Sequence, residues 1–129
     1  MRFVTGMRGL HESEANMEVK AIDAAGNPYL VLGAVVAAGL AGLEAELSLP
    51  EPTADDPAEI SAARRRRAGI RPLPASLGQA IGALEGSTVL REAMGDVLFE
   101  AFLAGRRGEW ERYGEMDDES VVRAFRWRY

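Results

Sequence analysis

The chain has no cysteine, a single histidine and, among its 15 basic residues, a single lysine. Without cysteine there is no disulfide framework, no thiolate nucleophile and no cysteine-bound zinc, which fits a reducing cytoplasm. One histidine, His11 in the polar stretch "GMRGLHESEA", is too few for a catalytic triad or a histidine-rich metal cage. It reads as a solvated loop residue. Neither a P-loop nor a GxGxxG pattern occurs, so the two common nucleotide motifs are missing. An excess of basic charge is missing too. Twenty acids against 15 bases leave a net charge of -5, which argues against a nucleic-acid binder. The opening "MRFVTGMRG" lacks the apolar core of a secretory signal.

A long hydrophobic run is nearly present. Residues 24–43 carry no charge. However, Gly26-Asn27-Pro28 reads as a turn and helix start, leaving roughly 15 helical residues, about 22 Å long. A bilayer core needs about 20 apolar residues, and alanine and glycine dominate this stretch. It reads as a helix buried in protein, not a membrane span.

What is there is one domain's worth of chain. At 129 residues, with 47% hydrophobic and 27% charged, the composition is that of a globular protein able to bury a core. The expected fold is mainly α with a short N-terminal β element. It forms a single domain over 1–129, with a β element and loop over 1–25 and a helical part over 26–129. Strands are expected at 2–5 and 16–22. In the second, Met17, Val19 and Ala21 alternate with Glu18, Lys20 and Ile22.

The first helix has Asn27 as N-cap and Pro28 at its first position, and is expected to run to Leu47, before Pro50 and Pro52. Its small residues, Gly33, Ala37 and Ala41 beside Ala34, Ala38 and Gly42, form shallow ridges suited to close packing, so it reads as an interior strut. A rigid acidic linker, 50–57, precedes a short helix over 58–68. An extended "GIRPLP" follows. Ser76 is expected to cap a helix through Glu85, with Leu77, Ala80, Ile81 and Leu84 on one face. Ser87 caps the next through Met94. A longer helix spans Asp96 to Tyr113 with Val97, Leu98, Phe102 and Leu103 inward, and a last one starts at Asp117 or Asp118.

Few residues suggest chemistry. The arginines at 64–67 point around a helix, not to one side, and three acids lie upstream in "DDPAE". They read as a solvated face with local ion pairs. Phe99, Phe102, Trp110, Tyr113, Phe125, Trp127 and Tyr129 read as packing between the last two helices, with Trp127 and Tyr129 able to anchor an interface. Glu18 and Lys20 remain. In an alternating strand, residues two apart project from one face. A carboxylate there can ligate a hard divalent cation, and an ammonium beside it can bind phosphate. The same two residues can equally form a plain surface salt bridge.

The stretch "NMEVKAIDAAGNPYLVLGAVVAAGLAGLE" resembles the C-terminal part of the glutamine synthetase family. There, a strand bearing Glu-x-Arg and a small-residue turn lead through Asn-Pro-Tyr into an Ala/Gly-rich helix. The similarity continues through "LSLPEP", "RAGIRPLPASLGQAIGALEGSTVLREAMGDVLFEAFLAGRRGEWERY" and the terminal "RY". It is nearest to the divergent branch that makes γ-glutamyl amides.

The resemblance implies an ATP-dependent ligase using Mg2+ or Mn2+, in which glutamate's side-chain carboxylate is phosphorylated and ammonia or another amine displaces phosphate. It implies that Glu18 ligates the metal at the ATP phosphates. Lys20 stands where the family has arginine, near the transferred phosphoryl group, and Arg2 matches a phosphate-binding arginine. The remaining metal ligands belong to parts of the family's domain that would lie before Met1. This chain therefore corresponds to about the last third of such an enzyme and is expected to be inactive alone. The alternative expectation is a non-enzymatic helical module that forms a homo-oligomer or pairs with a separately encoded N-terminal half.

Overall fold

The structure is a computed structural model that describes residues 2–4, 16–23, 25–53, 56 and 58–128, with side chains from Asn16 onward. His11, its surrounding loop and Tyr129 lie outside the described residues. The chain divides into two compact units, 1–33 and 34–129.

In the first unit, β1 (Arg2–Val4) pairs antiparallel with β2 (Asn16–Glu18). The register sets Arg2 opposite Glu18, Phe3 opposite Met17 and Val4 opposite Asn16. The second strand is shorter than its alternating pattern suggests. It ends at Glu18, and residues 19–23 have no regular structure. An Asp23 turn follows, in which the Asp23 side chain accepts from the Ala25 N–H at 2.9 Å and its carbonyl from the Gly26 N–H at 2.9 Å.

Helix α1 runs Pro28–Glu44. Asn27 caps it as its sequence position suggests, its Oδ1 accepting from the Tyr29 and Leu30 N–H groups at 3.0 and 3.2 Å. The helix stops three residues short of Leu47 because it closes on itself. Leu47 N–H donates to the Gly42 carbonyl and Glu46 N–H to that of Leu43, the paired bonds of a Schellman ending. That ending places Glu46, not a glycine, in the left-handed region at φ 49°. The interior-strut expectation is not met. No residue of α1 is buried, and Tyr29, Leu32, Val36, Leu40 and Leu43 stand out along one stripe, 49–85% exposed. Small residues allow close approach, but among the described residues none of this helix is buried.

In the second unit, α2 covers Ala62–Arg67. It starts later than residue 58 because Ser61 is the residue that caps it, accepting from the Arg64 N–H at 3.3 Å. Gly69, at φ 68°, makes the same kind of ending as Glu46 without the side-chain penalty. Helix α3 is Leu77–Glu85 and α4 is Thr88–Tyr113, capped by Ser76 and Ser87 respectively. Helix α4 is broken at Gly95, whose φ 71° and ψ 155° are not helical. That backbone region is open almost only to glycine, so the sequence break between Met94 and Asp96 is real.

The core lies between α3 and α4. Phe99 (0% exposed), Leu103 (1%) and Ile81 (8%) form it, with Leu77, Leu84 and Met94 packed alongside. Burying side chains of this size contributes about 1.5–3 kcal/mol each. The inward face of α4 therefore differs from expectation. Val97 is 88% exposed and Leu98 43%, Phe102 is half-buried, and Phe99 takes the central place. After the Gly95 break, Phe99 and Leu103, four residues apart, share the face toward Ile81, and Val97 and Leu98 fall off it. Arg107 ties the two helices at their far end, its Nη2 and Nε donating to Glu85 Oε1 at 2.6 and 3.0 Å.

Helix α5 is Asp118–Phe125, with Asp117 as N-cap accepting from the Ser120 N–H at 2.9 Å. It folds against the end of α4, where Tyr113 meets Phe125 edge-on at 4.9 Å. This is the aromatic packing between the last two helices that the sequence suggests. Trp110 instead packs on α3, so closely that a Cβ on Gly78 would lie 2.8 Å from its Cε2. Trp127 projects into solvent at 89% exposure.

Candidate functional site

The candidate site begins at the end of β2. Glu18 is half-buried, with its Oε2 closed off from solvent, and Lys20 Nζ stands 3.2 Å from that oxygen. The geometry differs from the expectation in one respect. Lys20 lies beyond the strand, so the period of two does not carry it to the face of Glu18. The pair forms from a segment without regular structure. Lys20 remains 68% exposed at its side chain and Glu18 39%, so the ion pair is anchored at the acid and open at the base. Arg2 sits directly across the ladder from Glu18. The three residues singled out in the sequence thus converge on one sheet end: two through the strand register, the third through an ion pair.

The arrangement supplies one carboxylate and a neighbouring cation. Among the described residues, no group of three or more His, Cys, Asp or Glu side chains is placed to hold a metal ion. Hard divalent cations take six or more oxygen ligands, several of them carboxylates or waters. Glu18 alone, already ion-paired, does not amount to such a site. The described residues therefore do not form a complete cation site.

Two further charged arrangements were not foreseen. Arg91 lies over the Phe99 ring at 4.2 Å and bridges the Gly95 break, donating to Asp96 Oδ1 at 2.9 Å and Glu100 Oε1 at 2.7 Å. Hydrogen bonding to Glu100, then to Asp96, raises its pKa above the ordinary arginine value. The i, i+5 and i, i+9 spacings are not helical neighbours, which is why the sequence conceals the cluster. The second is a cleft at the junction of α4 and α5, lined by Arg112, Arg123 and Arg128. Its three arginines are spread over 17 residues of sequence and meet only because α5 turns back on Tyr113.

Residues 4–124 match the glutamine synthetase catalytic domain, and the chain belongs to that family. Among its relatives, the gamma-glutamylpolyamine synthetase GlnA3 of Streptomyces coelicolor is 44% identical over 129 residues, covering all of this chain and 28% of that protein. The glutamine synthetase of Mycolicibacterium smegmatis is 40% identical over 101 residues, 78% of this chain and 23% of the relative. That of Staphylococcus aureus is 34% identical over 110 residues, 85% of this chain and 24% of the relative. The chain spans about a quarter of the length of these relatives. Among the described residues, no helix is long and apolar enough to cross a membrane.

Proposed function

We propose that this chain supplies one edge of the active site of an ATP-dependent glutamate–amine ligase and is inactive without the remainder of a catalytic domain. Glu18 contributes a single oxygen ligand toward Mg2+ or Mn2+. Lys20 and Arg2 furnish positive charge beside the ATP phosphates. The observation that carries this reading is the convergence of Arg2, Glu18 and Lys20 at one sheet end, through the facing register and the 3.2 Å ion pair. Lys20 in place of arginine offers a point charge instead of a two-pronged fork, so it holds charge without fixing orientation. Glutamate is the proposed acid substrate. The amine is ammonia or, by likeness to the Streptomyces relative, a polyamine. Such an enzyme works in the cytoplasm, where ATP is found.

The test is a single-turnover assay of the 129-residue chain with ATP, Mg2+, glutamate and either ammonia or a polyamine. No phosphate release is expected, because the described residues hold no complete cation site. Release above the buffer blank defeats the proposal.

A second reading is favoured by the exposed stripe of α1, Tyr29, Leu32, Val36, Leu40 and Leu43. An apolar face of this kind marks an interaction surface. It would make the chain a helical module that self-associates or complements a separately encoded N-terminal half. Light scattering that finds only monomer, together with no binding to such a half, removes this reading.

A further inference from the structure

The cleft between the end of α4 and α5 has a volume of about 350 Å³. It plays no part in the ligase reading, and its residues lie far along the chain from Glu18. We propose that this cleft binds a small phosphate-bearing anion.

Three guanidinium groups line it from three separate segments: Arg112 from the last turn of α4, Arg123 from α5, and Arg128 from the turn after it. Three like charges along one lining repel one another, in a chain whose net charge is -5. Their neighbours offset this only in part. Arg123 pairs with Glu119 at 2.8 Å, but both side chains are more than three-quarters exposed, so the pair is weak and easily exchanged. Arg112 makes a ring contact with Tyr113 at 5.6 Å and, among the described residues, pairs with no carboxylate. Arg128 donates to the Tyr113 hydroxyl at 2.8 Å and lies 6.0 Å from the Tyr113 ring and 5.9 Å from that of Phe125.

The aromatic rings thus lie beside two of the arginines that line the cleft. Tyr113 adds one more donor. Its hydroxyl oxygen accepts from Arg128, so the O–H proton remains free to be donated. Ser120 adds nothing, since its hydroxyl already donates to Asp117 at 2.8 Å. Arginine forks beside a phenolic O–H present more donors than one carboxylate can accept, and they match the tetrahedral oxygens of a phosphate. Of the acids in the adjoining segment, Glu119 pairs with Arg123 and Asp117 accepts the cap bonds of Ser120, while Glu115 and Asp118 are exposed.

The experiment titrates the 129-residue chain with inorganic phosphate at constant ionic strength, set with sodium chloride, and follows backbone amide resonances. Saturable shifts are expected, confined to residues around 112–128. Arg112→Gln and Arg123→Gln should each weaken phosphate binding on the order of tenfold, the loss of one charge-assisted hydrogen bond. Arg66→Gln, in the exposed run of α2, should leave it unchanged. Two variants are used because either alone could disturb the packing of α5, which the spectrum itself reports. Shifts no larger than those given by chloride overturn the proposal. So does an Arg66→Gln effect equal to that of Arg112→Gln, which would mean diffuse attraction. Because the readout is binding and not turnover, its failure leaves the ligase reading untouched, and the converse also holds.

Discussion

Lys20 Nζ lies 3.2 Å from Glu18 Oε2, although the strand that carries Glu18 has already ended. The contact is an ion pair formed from a segment without regular structure. Its stability contribution is small, because pairs this exposed contribute about 0–1 kcal/mol. Lys20→Met should therefore change the urea midpoint of this chain by an amount equivalent to less than about 1 kcal/mol. A larger loss would make Lys20 a structural residue first and weaken its assignment to phosphate.

The core assignment gives a sharper contrast. Phe99→Ala should cost about 3–5 kcal/mol, enough to unfold a chain with so few buried residues. Val97→Ala, two residues away, should fall within about 0.5 kcal/mol, since Val97 is 88% exposed. Thermal or urea unfolding of both variants decides between the observed face of α4 and one that includes Val97.

Glu46 offers a stabilising change. Its φ of 49° is one that a side chain disfavours, whereas the equivalent ending at Gly69 carries no such cost. Glu46→Gly should raise stability by roughly 0.5–1 kcal/mol, the relief of left-handed strain less glycine's added entropy when unfolded. A lower melting temperature for the variant would contradict this.

Asp117 should confer a pH dependence on α5. The Ser120 backbone N–H, then its hydroxyl, lowers the Asp117 carboxyl below its ordinary value of 3.8. A carboxyl depressed on folding contributes stability that is fully present above 3.8 and is lost as pH falls through the lower folded value. Asp117→Asn should keep the cap and flatten this acid limb, with little change near neutrality. Helicity followed by circular dichroism from pH 6 to pH 2 would show it. An unaltered acid limb in the variant would assign the loss to other carboxylates.

Local signals in the sequence were sound wherever a short-range bond decides the structure. Asn27, Ser76 and Ser87 each cap the helix expected of them, and of the two expected starts for the last helix Asp117 is its cap, because a cap needs only a side chain and the two or three N–H groups that follow. The Gly95 break was legible for a similar reason. What failed depended on distance. The burial of α1 was inferred from composition, but an apolar helix says nothing of whether a partner reaches it within the chain. Val97 and Leu98 are apolar and open the segment that begins at Asp96, but residue type alone does not say which side of that segment meets Ile81. At the candidate site the residue types were legible from the family pattern, yet the facing of Arg2 and Glu18 is set by a strand register. The arginine cleft was invisible because its members meet only through the return of α5.

The Gly95 break also separates two independent frames. Residues 88–94 and 96–113 do not share one helical screw, so inserting a residue before Gly95 would rotate only the leading segment. Phe99 and Leu103 would keep their bearing on Ile81, whereas Met94 would turn off the core and Arg91 would lose its place over the Phe99 ring.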